Sequence, residues 1–540
     1  PYRVLDLTNG RGELAGFILA QLGAEVISIE PVGGSSSRKI APFRGGESSG
    51  DSLYFSAFGR GQASVELDLA GSENDRAQLK ELAKGADVII ESSDVGEMAA
   101  MGLGYDDLAA VNPALVYASI SPFGQTGPKA TWAATDLTIW AAAGPSRITG
   151  DSDRAPLRMQ CDQSFAHAAA EAAGCVIAAL YERAGSGHGQ HVDISAQQAS
   201  TQATQSMILA HPNGDTMLKR EAGGIKFGDV FLQLLWPCAN GHVSITFLFG
   251  TALGVPTGRL MEVVCEQGYC DEATRDRDWI SYGEELLTGV EPVEEYDRIK
   301  ACVGKFCMAH TKAELLELAM THNLLIASVN MMDDVIGLDQ FVERDFWDDV
   351  EGDRFPGPMI KASGTPLPRL SAAPALGADT LRVLSEPCRT PSAPELVTPA
   401  PTARPLEGVK ILDFMWVMAG PAGTRVLADM GATVVRIESN ARIDTARTLQ
   451  PFKDNTNSLE SSALFSNMNA GKLGVTVNPT TPEGMAVIED LIRWADVVTE
   501  SYSPRAMVNF GLDYESVRKI NPSVIMLSSC LFGQTGPLAK

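Results

Sequence analysis

The chain has 540 residues, 45% of them hydrophobic, and a net charge of -24. Single cores stop growing near ~250–300 residues, so several domains are expected. An acidic chain offers no basic field to release counterions from nucleic acid or an anionic bilayer, which excludes both as expected partners and leaves a solvated acidic surface. No apolar run is read as reaching the ~18–20 residues of a membrane span, and no basic-plus-apolar leader is seen. The sequence starts at Pro1 and stops at Lys540 inside a recognisable motif, so both ends are expected to be cut. Nine scattered cysteines, with Cys265/Cys270 and Cys302/Cys307 lacking nearby His pairs, imply free thiols in a reducing cytosol and no metal site.

Residues 2–7 read as a buried strand, 12–22 as a helix stopped by Gly23, and 25–31 as a second strand closed by Pro31. The segment 63–69 alternates like a strand, 72–84 is a polar helix, and 86–92 and 115–120 are strands again. A long Ala-rich helix is expected over about 163–183, ending at the Gly-Ser-Gly-His-Gly turn of 185–189, with a strand at 190–195. From about 200 to 360 the texture changes: 237–247 reads as a hairpin turning at Asn240-Gly241, and 313–323 as an amphipathic helix. Residues 387–405 form a Pro/Ala/Thr-rich linker. Strands and helices then return at 409–414, 421–430, 433–438, 474–478, 482–494, 495–500 and 523–528. Alternating strands and helices imply right-handed crossovers, hence an α/β, doubly wound, parallel, Rossmann-like sheet with a smaller α+β domain.

The return is a repeat. Phe123-Gly124-Gln125-Thr126-Gly127-Pro128 recurs letter for letter as Phe532-Gly533-Gln534-Thr535-Gly536-Pro537. The segment 3–7 answers to 410–414, 22–26 to 430–434, 86–91 to 495–500, and Asn112-Pro113 to Asn521-Pro522, at offsets of 407 to 410. A period this long means tandem domains, since solenoid repeats run ~20–50 residues. The expected division is a first-copy large domain at 1–200, a small domain at 201–360, a return segment at 361–386, the linker at 387–405, and the N-terminal part of a second copy at 406–540.

Neither first strand is followed by Gly-x-Gly-x-x-Gly, and there is no Walker loop, Gly-x-Ser-x-Gly or His/Cys metal cluster. Other segments carry a resemblance. RVLDLT with LGAEVISIEP, ADVIIES with NPALVYASISPFGQTGP, ALYERAGSGHGQHVDIS, PCANGHVSI and APALGADTLRVL, then ILDFMWVMAGP, NAGKLGVTV and ADVVTES in the second copy, resemble the family III CoA-transferases, also called CaiB/BaiF. The resemblance implies a duplicated, interlocked-ring architecture, working as a homodimer or an intramolecular pseudo-dimer. It implies acyl-CoA and a carboxylic acid as small-molecule substrates, coenzyme A as the carried group, and no metal. It also implies covalent chemistry: an Asp attacks the thioester to give a mixed anhydride, and the released thiolate returns to give an aspartyl-CoA thioester. A CoA-transferase/lyase or hydratase, or a non-catalytic acyl-CoA-binding scaffold, remains an alternative.

Asp162, before the Ala-rich helix, is the candidate nucleophile, with an ordinary helix cap as its other reading. Counting back from Arg183 by the family's spacing lands on Phe165, one turn later; a turn displaces a side chain by ~5.4 Å along the axis. The counterpart Asp of the second copy is expected beyond Lys540. Candidate CoA contacts lie in that copy: Met418 near the thioester or in the core, Arg436 on a phosphate, Asn469 and Lys472 in the Asn-Ala-Gly-Lys motif, and Ser501, Tyr502 and Arg505 after a strand. Arg425 meets a phosphate or solvent. The first copy has Gly59, Gln62 and Asp94 at corresponding places, so it is expected to be degenerate and architectural. His188 and His191 are expected to be structural, and Asp136 to cap a helix. With no His before Asp136, racemase-type proton abstraction is not expected in this half.

Overall fold

The computed structural model describes residues 1–47, 50–215, 220–227, 230–391 and 404–539. Most of the expected linker, at 392–403, and Lys540 lie outside the described residues. The chain divides into two compact units: one comprises 1–145, 159–209 and 339–540, the other 146–158 and 210–338. The second unit is thus shorter than the 201–360 drawn from sequence, because residues 339–391 pack with the parallel sheets.

Apolar, β-branched runs bounded by turns form two parallel sheets in the larger unit. The first contains β1 (Arg3–Leu7), β2 (Glu25–Glu30), β3 (Gln62–Glu66), β4 (Val88–Glu91), β5 (Val116–Ser121) and β6 (His191–Ser195), in the order β3-β2-β1-β4-β5-β6. Val4 lies opposite Val26 and Val88. The second contains β7 (Lys410–Phe414), β8 (Thr433–Glu438), β9 (Leu473–Thr476), β10 (Val497–Glu500) and β11 (Ile525–Ser528), in the order β9-β8-β7-β10-β11. Ile411 lies opposite Val434 and Val497, so the second sheet repeats the first in order and register.

Helix α1 (Glu13–Gln21) follows β1, and α3 (Ala419–Asp429) follows β7. Helix α2 (Ser164–Ser186) packs against β5, β6 and α1, burying Ala168, Ala169, Ala172, Ala173, Val176 and Ala179. Small side chains let it lie close to the sheet. Among the described residues α2 alone is long and apolar enough by length and composition to cross a membrane, though Glu171 and Glu182 interrupt its apolar run and half of that stretch is buried in the fold.

Residues 339–391 close on the first sheet: Asp379 N donates to Ser64 O at 2.9 Å, and Arg60 Nη2 donates to Pro356 O at 3.0 Å. In the smaller unit, antiparallel strands 235–238, 241–245 and 326–328 pack with helices around Trp236, Phe247, Tyr296 and Phe306. Cys238 pairs with Gly241, so Ala239-Asn240 forms the hairpin turn, one residue earlier than expected.

Candidate functional site at the switch point of the second sheet

In a doubly wound sheet, adjacent strands whose connections run to opposite sides leave a crevice at their carboxyl ends. In the second sheet that point lies between β7 and β10. Trp416 N donates to Ser501 Oγ at 2.8 Å, joining the two loops. This brings the Trp416 and Tyr502 rings edge to face, with centroids 5.9 Å apart. The Arg442 guanidinium lies 5.5 Å from the Trp416 centroid, and Arg505 is exposed on the first turn of the Pro504–Phe510 helix. Neither arginine has a carboxylate partner among the described residues, so a free cation stands over the Trp416 face and a second is exposed on the following helix. Burial pushes the Tyr502 phenol up to about 12 and raises the Glu500 carboxyl, whose oxygen accepts from Tyr502 N at 2.7 Å. Of the expected contacts, Ser501 and Tyr502 adjoin Trp416 here, and Arg505 lies on the helix that follows. Trp416 was missed although it lies within ILDFMWVMAGP, because an aromatic there reads as core, and Arg442 because it lies in no segment carrying the resemblance.

The other expected contacts are interior groups. Lys472 Nζ donates to Asp413 Oδ2 (3.0 Å), Thr424 Oγ1 (2.8 Å), Pro421 O (3.1 Å) and Asn469 Oδ1 (3.0 Å). Burial lowers its pKa while Asp413 opposes that shift. With only three N–H donors, Lys472 has none free for a phosphate, and Asn469 serves to hold it. Arg436 is buried, bonded to Glu438 at 2.8 Å and Asp444 at 2.5 Å. Arg425 bonds Asn467 at 3.0 Å and Asp429 at 3.1 Å. Met418 packs against Ala446, Leu464 and Met468. In this structure Arg436 and Lys472 turn to internal acids, Asn469 holds Lys472, and Met418 takes the core alternative of its two expected readings.

The first sheet has the same loop join, Asn9 N to Ser92 Oγ at 3.1 Å. Aligning the copies puts Asn9, the Gly33-Gly34 turn, Ser93 and Gly96 where the second has Trp416, Arg442, Tyr502 and Arg505. A cavity of about 520 Å³ opens here, lined by Arg11, Asp68, Asp94 and Glu97 among others. The cation in its lining, Arg11, is paired with Asp94 at 3.3 Å. At the start of α1 a carboxylate is already installed: Glu13 Oε1 accepts from Gly10 N at 2.5 Å, and Tyr54 donates to Oε2 at 3.2 Å.

Asp162 is exposed and precedes Gln163, the residue that caps α2 by position. The capping carboxylate comes from elsewhere: Asp136 Oδ1 accepts from Gln163 N at 2.8 Å and Ser164 N at 2.6 Å. Asp136 therefore caps α2, while Thr135 caps the short helix that Asp136 begins. Phe165 lies under the Arg11 guanidinium, 5.5 Å from the ring centroid. His191 bonds Ser119 Oγ at 2.9 Å and stacks on Tyr105, and His188 N donates to Ser186 Oγ at 3.1 Å. Among the described residues no group of three or more His, Cys, Asp or Glu side chains is placed to hold a metal ion.

This fold, with a nucleotide-type crevice at the strand ends, defines a doubly wound α/β protein. The family model described as CoA-transferase family III matches residues 2–380 and 406–540, and the chain belongs to that family. It is 27% identical over 559 residues to the probable CoA-transferase Rv1866 of Mycobacterium tuberculosis, spanning 99% of this chain and 65% of that protein. It is 30% identical over 356 residues to succinyl-CoA:(R)-benzylsuccinate CoA-transferase subunit BbsE of Thauera aromatica, covering 64% of this chain and 82% of that one. The crystal structure of a CAIB/BAIF family protein from Brucella suis superposes with a TM-score of 0.60 at 25% identity, covering 71% of this chain and 97% of that chain.

Proposed function

We propose that the protein acts as a CoA-transferase, moving CoA between an acyl-CoA thioester and a carboxylic acid, with the nucleotide end of acyl-CoA held in the second copy's crevice. The observation that carries this reading is Arg442, without a carboxylate partner among the described residues, over the Trp416 ring beside Tyr502, with Arg505 exposed on the helix that follows. Aromatic faces suit a purine, and two guanidiniums suit its phosphates. Named CoA-transferases among the relatives support the reaction class.

The covalent step needs a carboxylate where Phe165 stands in the first copy. On this reading an aspartate oxygen attacks the thioester carbon as the C–S bond breaks and CoA thiolate leaves. Phe165 equally favours a second reading for the first copy, a scaffold that shapes the site without reacting. Incubation with an acyl-CoA, trapping with hydroxylamine and peptide mass spectrometry separates the assignments. No hydroxamate at Asp162 is expected, and one found there would move the nucleophile into the first copy.

A further inference from the structure

Val417 is the one β-branched residue with a left-handed backbone among the described residues, at φ +66. That conformation crowds the Cβ against the chain, most severely when the side chain branches there. Val417 belongs to none of the buried apolar clusters near it, so packing does not offset the strain. Asp444 holds it instead. Val417 N donates to both Asp444 carboxylate oxygens, each at 3.3 Å. Asp444 is fully buried, also accepts from Ala446 N at 2.8 Å, and is neutralised by Arg436 at 2.5 Å.

The two segments that Asp444 joins carry the cation and the ring of the second crevice. Arg442 lies two residues before Asp444, and Trp416 immediately before Val417. Trp416 N is tied to Ser501 Oγ on its other side, and the Arg442 loop closes on itself through Arg442 N to Ser439 O at 3.1 Å. With both segments otherwise anchored, the Asp444–Val417 contact sets one against the other and so places the guanidinium 5.5 Å from the ring centroid.

The first copy is the comparison. It has Gly10, at φ +73, where the second has Val417, and Ser35 where the second has Asp444; both Ser35 and Asp444 cap the short helix that follows. Gly10 N donates to Glu13 instead, and glycine takes the left-handed turn without strain. The Gly33-Gly34 turn stands where Arg442 would be. The strained residue and its carboxylate clamp thus occur in the copy that has a cation to place.

We propose that Asp444 is a positioning residue: by clamping Val417 it fixes Arg442 over Trp416 and pre-forms the seat for the nucleotide end of acyl-CoA. Holding the pair in place before binding removes an ordering cost from association. This inference rests on the second-copy crevice being the nucleotide site.

Calorimetric titration of the full chain with CoA tests it in a double-mutant cycle of Arg442→Ala and Asp444→Asn. Each single change is expected to weaken binding about fivefold or more. In the Asp444→Asn background Arg442→Ala is expected to add less than about twofold, because the guanidinium has already lost its place. An Asp444 that only stabilises the fold leaves Arg442→Ala its full effect in both backgrounds, and that result overturns the proposal, as does parent-like binding by Asp444→Asn. A parent chain that binds no CoA overturns the nucleotide-site reading itself, and this inference with it. Urea unfolding of Val417→Gly and Val417→Ala checks the strain without touching Asp444. The glycine variant is expected to be the more stable of the two, since only glycine is at ease at positive φ; the opposite order removes the clamp's purpose and overturns the proposal.

Discussion

Lys472 and Gln62 hold the same place in the two copies, and their difference changes the carboxyl each faces. Asp413 is buried against the Lys472 ammonium. Asp6 is equally buried, accepts from Thr8 N at 2.9 Å, and has Gly16 and Gln62 where the second copy has Thr424 and Lys472. Burial with no cation raises Asp6 from 3.8 to about 7. The folded state then holds a proton that the unfolded state has released, so this contribution is full below pH 3.8 and is lost as pH rises to about 7. Asp6→Asn is expected to flatten that decline, which urea unfolding from pH 4 to 8 checks. Lys472→Met strands Asp413 and is expected to cost about 3 kcal/mol, read from the urea midpoint. A loss below ~1 kcal/mol would deny the pair its structural weight.

At the scale of elements, α2 shows how far a cap can lie from its helix in sequence. Asp136, 27 residues before Gln163, supplies the charge that satisfies the first amides. Asp136→Ala should cost about 0.5–2 kcal/mol in thermal or urea unfolding, while Asp162→Ala should change stability by less than ~0.5 kcal/mol. Equal losses would contradict the assignment. Periodicity gave every strand of both parallel sheets to within a few residues, because buried β-branched runs bounded by Gly and Pro leave little choice. It could not place Asp136 at α2, since capping from another segment leaves no local trace. It also could not tell that Lys472 and Arg436 turn inward. Lys472 sits in the Asn-Ala-Gly-Lys motif and Arg436 in a strand, and neither setting says whether an internal acid or a ligand receives the cation; Asp413 and Asp444 decided that in three dimensions.

For the whole molecule, duplication supplies an internal control. In the first sheet β6 flanks β5 and α2 covers it, so every residue of β5 is buried. In the second sheet β11 is the edge, with Ile525 66% and Leu527 49% exposed.

The same control separates the crevices: the second keeps the free Arg442 guanidinium and two rings, with Arg505 on the next helix, while the first has an installed Glu13 carboxylate and acidic walls. Calorimetric titration of the full chain with CoA tests this most directly, comparing the parent with Arg442→Ala/Arg505→Ala and with Arg11→Ala. The double change is expected to weaken binding at least tenfold and Arg11→Ala to leave it within twofold. Binding that survives loss of both second-copy arginines but fails with Arg11→Ala would put the CoA site in the first copy.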